Sequence, residues 1–164
     1  MSNKTCTVAD PSSTYPYVRA VSEFMDMAGQ DRPKKAVISL EPGAKPSLGD
    51  LGTLKGLQQA MTQVVARVRN PTLRLRLSLV LEEVCELAEA SLHEDLPMIA
   101  RNTADILYVT HGIPLSLGYD GDGVFDVIHK ANMTKQLGKI RSDGKQLAPV
   151  DFAPPDVRSV LAKE

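Results

Sequence analysis

The chain has 164 residues and a net charge of −1, with 43% hydrophobic, 24% charged and only 4% aromatic residues and no Trp. That is the make-up of one ordinary globular domain with a real core; it excludes a strong field for nucleic acid or an anionic membrane, and disfavours a base-stacking surface. Two cysteines, Cys6 and Cys85, give no disulfide framework, and neither a bilayer-spanning run nor a signal peptide is read, so a reduced, cytoplasmic protein is expected.

Residues 1–14 are polar and expected to be loose. "YVRAVSEFMDMAGQ" (17–30) predicts a first helix: Val18, Val21, Phe24, Met25 and Ala28 keep helical spacing and Gly29 suits its end. Residues 31–49 hold three prolines and two glycines and predict a loop, with a short extended piece at 36–40. A second helix is expected over residues 50–69, with Leu54, Leu57, Met61, Val64, Val65 and Val68 on its apolar side and Asn70-Pro71 ending it. A third runs from Thr72 to about Leu92. A fourth begins at Pro97 and reaches Leu117, with Pro114 ending or kinking it. "GYDGDG" is a turn, residues 124–135 a fifth helix, and "IRSDGKQL" a small hairpin around Asp143-Gly144. The tail "FAPPDVRSVLAKE" adds a short last helix after Pro155. The pattern is that of an all-α bundle of about five helices, one domain over 1–164, with 139–164 as a C-terminal hairpin or tail.

The third helix contains "LVLEEVCELAEA", in which Glu82, Glu83, Glu86 and Glu89 interrupt an apolar run. At about 100° per residue, Leu75, Leu79, Glu82, Glu86 and Glu89 form one row, and Glu83 lies to one side. The bland reading is a solvated acidic face. The alternative is a cleft in which crowded carboxylates either hold a proton or demand a cation. The fourth helix favours the second. In "IARNTADILYVTHGI", Ile99, Asn102, Ile106, Val109 and Ile113 make a seam, and Asp105 flanks it. Antiparallel packing of these helices would bring Glu83, Glu86 and Asp105 together, and an all-oxygen set selects Mg²⁺ or Mn²⁺ over Zn²⁺. Taken alone, Asp105 could simply pair with an arginine. On the fifth helix Phe125, His129, Asn132 and Gln136 share a face; by themselves Asn132 reads as a C-cap, Lys135 as a solvated last-turn cation and His129 as a packed histidine.

"LEEVCELAEA", then "NTADILYVTHGIPLSLGYD", then "VFDVIHKANMTK" resembles the all-α nucleoside triphosphate pyrophosphohydrolases, the MazG-like and phosphoribosyl-ATP pyrophosphohydrolase-like superfamily. The resemblance covers about residues 73–156, with the "DGK…PPD" tail, and "VSEFMDMAGQ" is similar to the family's first helix. It implies Glu83, Glu86 and Asp105 as metal ligands, and Glu82 as a further ligand or as the base that orients the attacking water. The family has Glu three residues before the second-helix Asp; here that place holds Asn102, an oxygen donor without charge. Asn132 and Lys135 would meet the nucleotide, Lys135 as a point charge on phosphate. The implied reaction splits a nucleoside triphosphate between its α and β phosphates with Mg²⁺, or Mn²⁺ in its place, in a homodimer or dimer of dimers. A phosphoribosyl-ATP-type substrate and a non-catalytic interaction protein of the same fold are the alternatives. A di-iron bundle needs paired E-x-x-H motifs, and only Asp126-x-x-His129 approximates one.

Overall fold

The computed structural model describes residues 16–30, 33, 35–38 and 46–162. The loose segment expected at 1–14 and most of the loop at 31–49 lie outside them; residues 36–38 form no strand. Six α-helices occur among the described residues: α1 Pro16–Met27, α2 Leu48–Val65, α3 Pro71–Leu92, α4 Leu96–Leu117, α5 Gly121–Met133 and α6 Val157–Leu161, with a 3₁₀ turn at Thr134–Leu137 after α5. The protein is all-α, as its sequence predicts.

Side-chain caps set the helix ends. Ser47 accepts from the Asp50 amide while the Asp50 carboxylate accepts from the Ser47 amide at 2.7 Å, and this capping box starts α2 two residues earlier than periodicity alone suggests. Asn70 accepts from the Leu73 amide at 2.9 Å, with Pro71 in the first turn of α3. α2 stops at Val65 rather than Arg69: the Arg67 and Val68 amides donate to the carbonyls of Val64 and Val65, three residues back, so the chain tightens into a turn before the extended Asn70. Asp95 caps α4 and Asp120 caps α5, so α5 begins at Gly121 instead of Val124. Pro114 does not stop α4, which continues to Leu117 and closes on Gly118 in the left-handed region, φ 73°.

The described residues fall into two compact units. One contains α1, α5, α6 and the 3₁₀ turn; the other contains α2, α3 and α4. In the first, the Tyr17 ring meets Phe125 edge-on at 4.4 Å, the Tyr17 hydroxyl donates to Asp122, and His129 pairs with Glu23 at 3.5 Å. The expected hairpin reduces to a single antiparallel bridge, Ile140 to Gln146, around Gly144 with φ 84°. Buried Gln146 donates from Nε2 to the carbonyls of Lys135 (2.6 Å) and Gly138 (3.0 Å), which ties the tail to the 3₁₀ turn. In the second unit α3 and α4 are an antiparallel pair and α2 packs on α3. Cys85 and Ala90 of α3, Val65 of α2 and Asn102 of α4 are its buried side chains.

Candidate active site

The stripe of α3 that turns inward is not the Leu75–Glu89 row. Leu75, Glu82, Glu86 and Glu89 are exposed, whereas Arg76, Val80 and Glu83 are half-buried and Ala90 is buried. The α4 seam is as the spacing predicts: Asn102 is buried and Ile99, Ile106, Val109 and Ile113 are half-buried. The reason the α3 row fails is that its carboxylates keep their hydration by facing outward, and the less polar stripe beside it takes the helix contact.

Glu83 is therefore the least exposed of the four α3 glutamates. Partial burial pushes its carboxyl above the usual range, and the charges of Glu86, Asp105 and Glu82 push it further; Arg101 opposes them. The coupling places Glu83, Glu86 and Asp105 in one electrostatic neighbourhood across α3 and α4. Asp105 pairs with Arg101 one turn earlier at 3.5 Å, an exposed pair of small stabilising value. The ordinary fate of an Asp and membership of the acidic cluster thus coexist. Among the described residues no three His, Cys, Asp or Glu side chains stand close enough to grip one ion as they are, so closing on a cation requires these carboxylates to rotate.

Asn102 is the unusual member. It is 1% exposed, and neither Oδ1 nor Nδ2 has a hydrogen-bond partner among the described residues. An unsatisfied buried polar atom costs about 1–3 kcal/mol, so the fold holds this amide at a loss. It borders an open cavity of about 430 Å³ lined also by Glu86, Glu89, Ala90, His93, Asp95 and Met98, beside the α3–α4 turn. That turn carries Glu94 at φ 57°, a left-handed conformation uncommon outside glycine. Crowded carboxylates beside an orphaned amide oxygen fit a hard divalent cation in donor chemistry: an ion would relieve the repulsion and give Oδ1 a partner.

The residues expected from the sequence to meet a nucleotide lie in the other unit. Asn132 is half-buried in the last turn of α5 and is not the C-cap, which is Thr134. Lys135 is in the 3₁₀ turn, half-buried, with its ammonium 5.3 Å from the centre of the Phe152 ring. His129 is packed and paired with Glu23, and Asp126 is engaged by Lys130, so the partial di-iron motif is spent on surface pairs. Sequence reasoning missed Arg76, whose signal was its place seven residues before Glu83 and so on nearly the same helical face. It also missed the cavity at the α3–α4 turn, which no spacing announces.

No curated protein matches the chain at a significant level. A family model does match: residues 54–132, from α2 to Asn132 of α5, fit the one described as phosphoribosyl-ATP pyrophosphohydrolase, so this part of the chain is similar to that all-α pyrophosphohydrolase family.

Proposed function

We propose that the protein is a cytoplasmic, metal-dependent nucleoside triphosphate pyrophosphohydrolase that releases a monophosphate and pyrophosphate. The family match supports pyrophosphohydrolase chemistry as the class. The observation that carries the finer reading is the orphaned Asn102 amide beside the mutually repelling Glu83, Glu86 and Asp105. These four would hold Mg²⁺ or Mn²⁺. When bound, such ions neutralise phosphate oxygens and lower the pKa of a coordinated water.

The remaining steps fall to the chain's own residues. Glu82, exposed one position before Glu83, accepts the proton of the attacking water. The water oxygen bonds to the α phosphorus, and the bond from that phosphorus to the α–β bridging oxygen breaks, so pyrophosphate carries the bridging oxygen away. Asn132 and Lys135 orient the nucleotide, Lys135 by charge on phosphate. A second copy of the chain completes the pocket: Leu57, Val64, Tyr108 and Leu115 expose 59%, 59%, 83% and 83% of their surfaces, an uncovered apolar area that a homodimer or dimer of dimers would bury.

A phosphoribosyl-ATP-type substrate is the second reading, favoured by the description of the matched family. Pyrophosphate release from a panel of NTPs, dNTPs and phosphoribosyl-ATP tests both. Activity with Mg²⁺ that vanishes in excess EDTA is expected. Turnover that survives EDTA overturns the metal site, and no release from any substrate leaves the non-catalytic reading.

A further inference from the structure

The α3–α4 seam is electrically lopsided. At the turn end the cavity is walled by Glu86, Glu89 and Asp95. Two turns in the other direction from Glu83, about 10 Å along the axis, stands Arg76. Its Nε donates to the Ser116 hydroxyl across the helix pair at 2.7 Å, and its guanidinium lies against α4 at Gly112. A Cβ at Gly112 would fall 2.6 Å from Nη1 and 2.9 Å from Cζ, so the absence of a side chain there makes room for the cation. No carboxylate engages Arg76 among the described residues, while Arg101, Lys130 and Arg141 each have one. A half-buried guanidinium aimed by a hydroxyl, with its outer nitrogens unclaimed by any carboxylate among the described residues, is an anion-binding fork.

We propose that Arg76 binds the terminal phosphates of the substrate, a role that rests on the pyrophosphohydrolase reading. A polyphosphate whose inner end sits at Glu83, Glu86 and Asp105 has two directions open along the seam. In the turn direction, beyond Glu86, the carboxylates of Glu89 and Asp95 repel it. Arg76 attracts it, and Ser116 and Gly112 fix the fork before the substrate arrives, so little side-chain freedom is lost on binding. Arg76 thereby distinguishes a triphosphate from a monophosphate, which does not reach it, and lowers KM more than it raises kcat.

The test uses inorganic tripolyphosphate in Mg²⁺ buffer, followed by calorimetry, alongside NTP hydrolysis. Arg76→Ala is expected to weaken tripolyphosphate binding and raise KM for the NTP by roughly tenfold to a hundredfold, with kcat within a few-fold of wild type. Arg76→Lys, which keeps the charge and loses the fork, falls between. Gly112→Ala retains the cation and improves helix propensity; it should raise or maintain Tm while weakening tripolyphosphate binding. If Arg76→Ala lowers Tm but leaves tripolyphosphate affinity and KM unchanged, Arg76 is only a helix staple and the proposal fails. It also fails if the wild type does not bind tripolyphosphate. Tripolyphosphate binding that depends on Arg76 without pyrophosphate release from any nucleotide would retain the phosphate site and overturn the enzymatic reading instead.

Discussion

Polar groups are treated in opposite ways by the two units. Around α1 and α5 they are matched: His129 with Glu23, Lys130 with Asp126, Tyr17 with Asp122, and Gln146 with two carbonyls. Along α3 and α4, beside the Arg101–Asp105 pair and the Arg76–Ser116 bond, three are left at odds. Glu83 is crowded by like charges, the Asn102 amide has no partner, and Arg76 has no anion among the described residues. Both units are held by helix contacts, so the difference does not come from packing style. It sets pairs that stabilise the folded chain around α1 and α5 apart from the crowded or unpaired groups of α3 and α4.

Glu86→Gln should break this contrast most severely. It preserves shape and removes one charge from the crowded side. Loss of metal-held transition-state stabilisation should cut turnover by at least about 100-fold. Tm in metal-free buffer should stay the same or rise, because Glu83 loses its strongest carboxylate neighbour. Turnover near the wild-type level would show that the acidic cluster is merely a solvated face.

Asn102→Glu sharpens the comparison. A glutamate in this buried place adds a charge with no partner in the metal-free protein, so Tm in EDTA should fall. Mg²⁺ should restore it, and the Mg²⁺ concentration for half-maximal activity should drop below that of the wild type. Activity that is reduced at every Mg²⁺ concentration would instead assign Asn102 to the nucleotide. The complementary Asn102→Leu removes the orphaned amide and should raise stability by roughly 1–2 kcal/mol by chemical denaturation, at the expense of activity.

Lys135→Ala probes the matched unit, and its effect should be smaller. Losing the contact with Phe152 costs about 0.5–1 kcal/mol, while KM should rise by roughly tenfold through the lost phosphate contact. Unchanged kinetics would return Lys135 to a purely structural role.

The smallest expected effect is a pH slope. Glu83 binds its proton more tightly in the folded protein than in the unfolded chain, where the ordinary value is 4.5. The stability this contributes is present below that value and is lost as pH rises through the higher folded one. Tm in EDTA should therefore decline across the weakly acidic range, and Glu83→Gln should flatten the decline. Asp50 and Asp143, whose carboxyls are lowered by hydrogen bonds from Ser47 and Arg141, act only at more acidic pH and in the opposite direction. An equal slope in wild type and variant would place the titrating group elsewhere.

Much of the architecture was legible because it follows from local rules. The α4 seam from Ile99 to Ile113 is a periodicity, and the joint at Asn70-Pro71 is a matter of backbone sterics. The start of α2 was missed because Ser47 and Asp50 cap through side chains outside the apolar pattern. The inward stripe of α3 was misread by nearly one position, because leucine and glutamate alternate so closely that two adjacent rows have similar apolar content. Glu83, Glu86 and Asp105 could be named as acids near a helix contact. Neither the complete burial of Asn102 nor the Arg76 fork could be read, since both depend on how deeply two helices approach each other.

Gly138 bears on what sequences this fold can tolerate. A side chain there would place its first carbon 1.8 Å from the Leu147 carbonyl oxygen, a collision with backbone that no rotamer relieves. Gly144, although its φ is 84°, has open space around it and can yield to Asn or Asp. In a library randomised at both positions and selected only for folding, position 138 should remain glycine while position 144 drifts. The tail is fastened to the 3₁₀ turn that bears Lys135 by Gln146 at this junction, so the same crossing that limits mutation also fixes the backbone from which Lys135 projects.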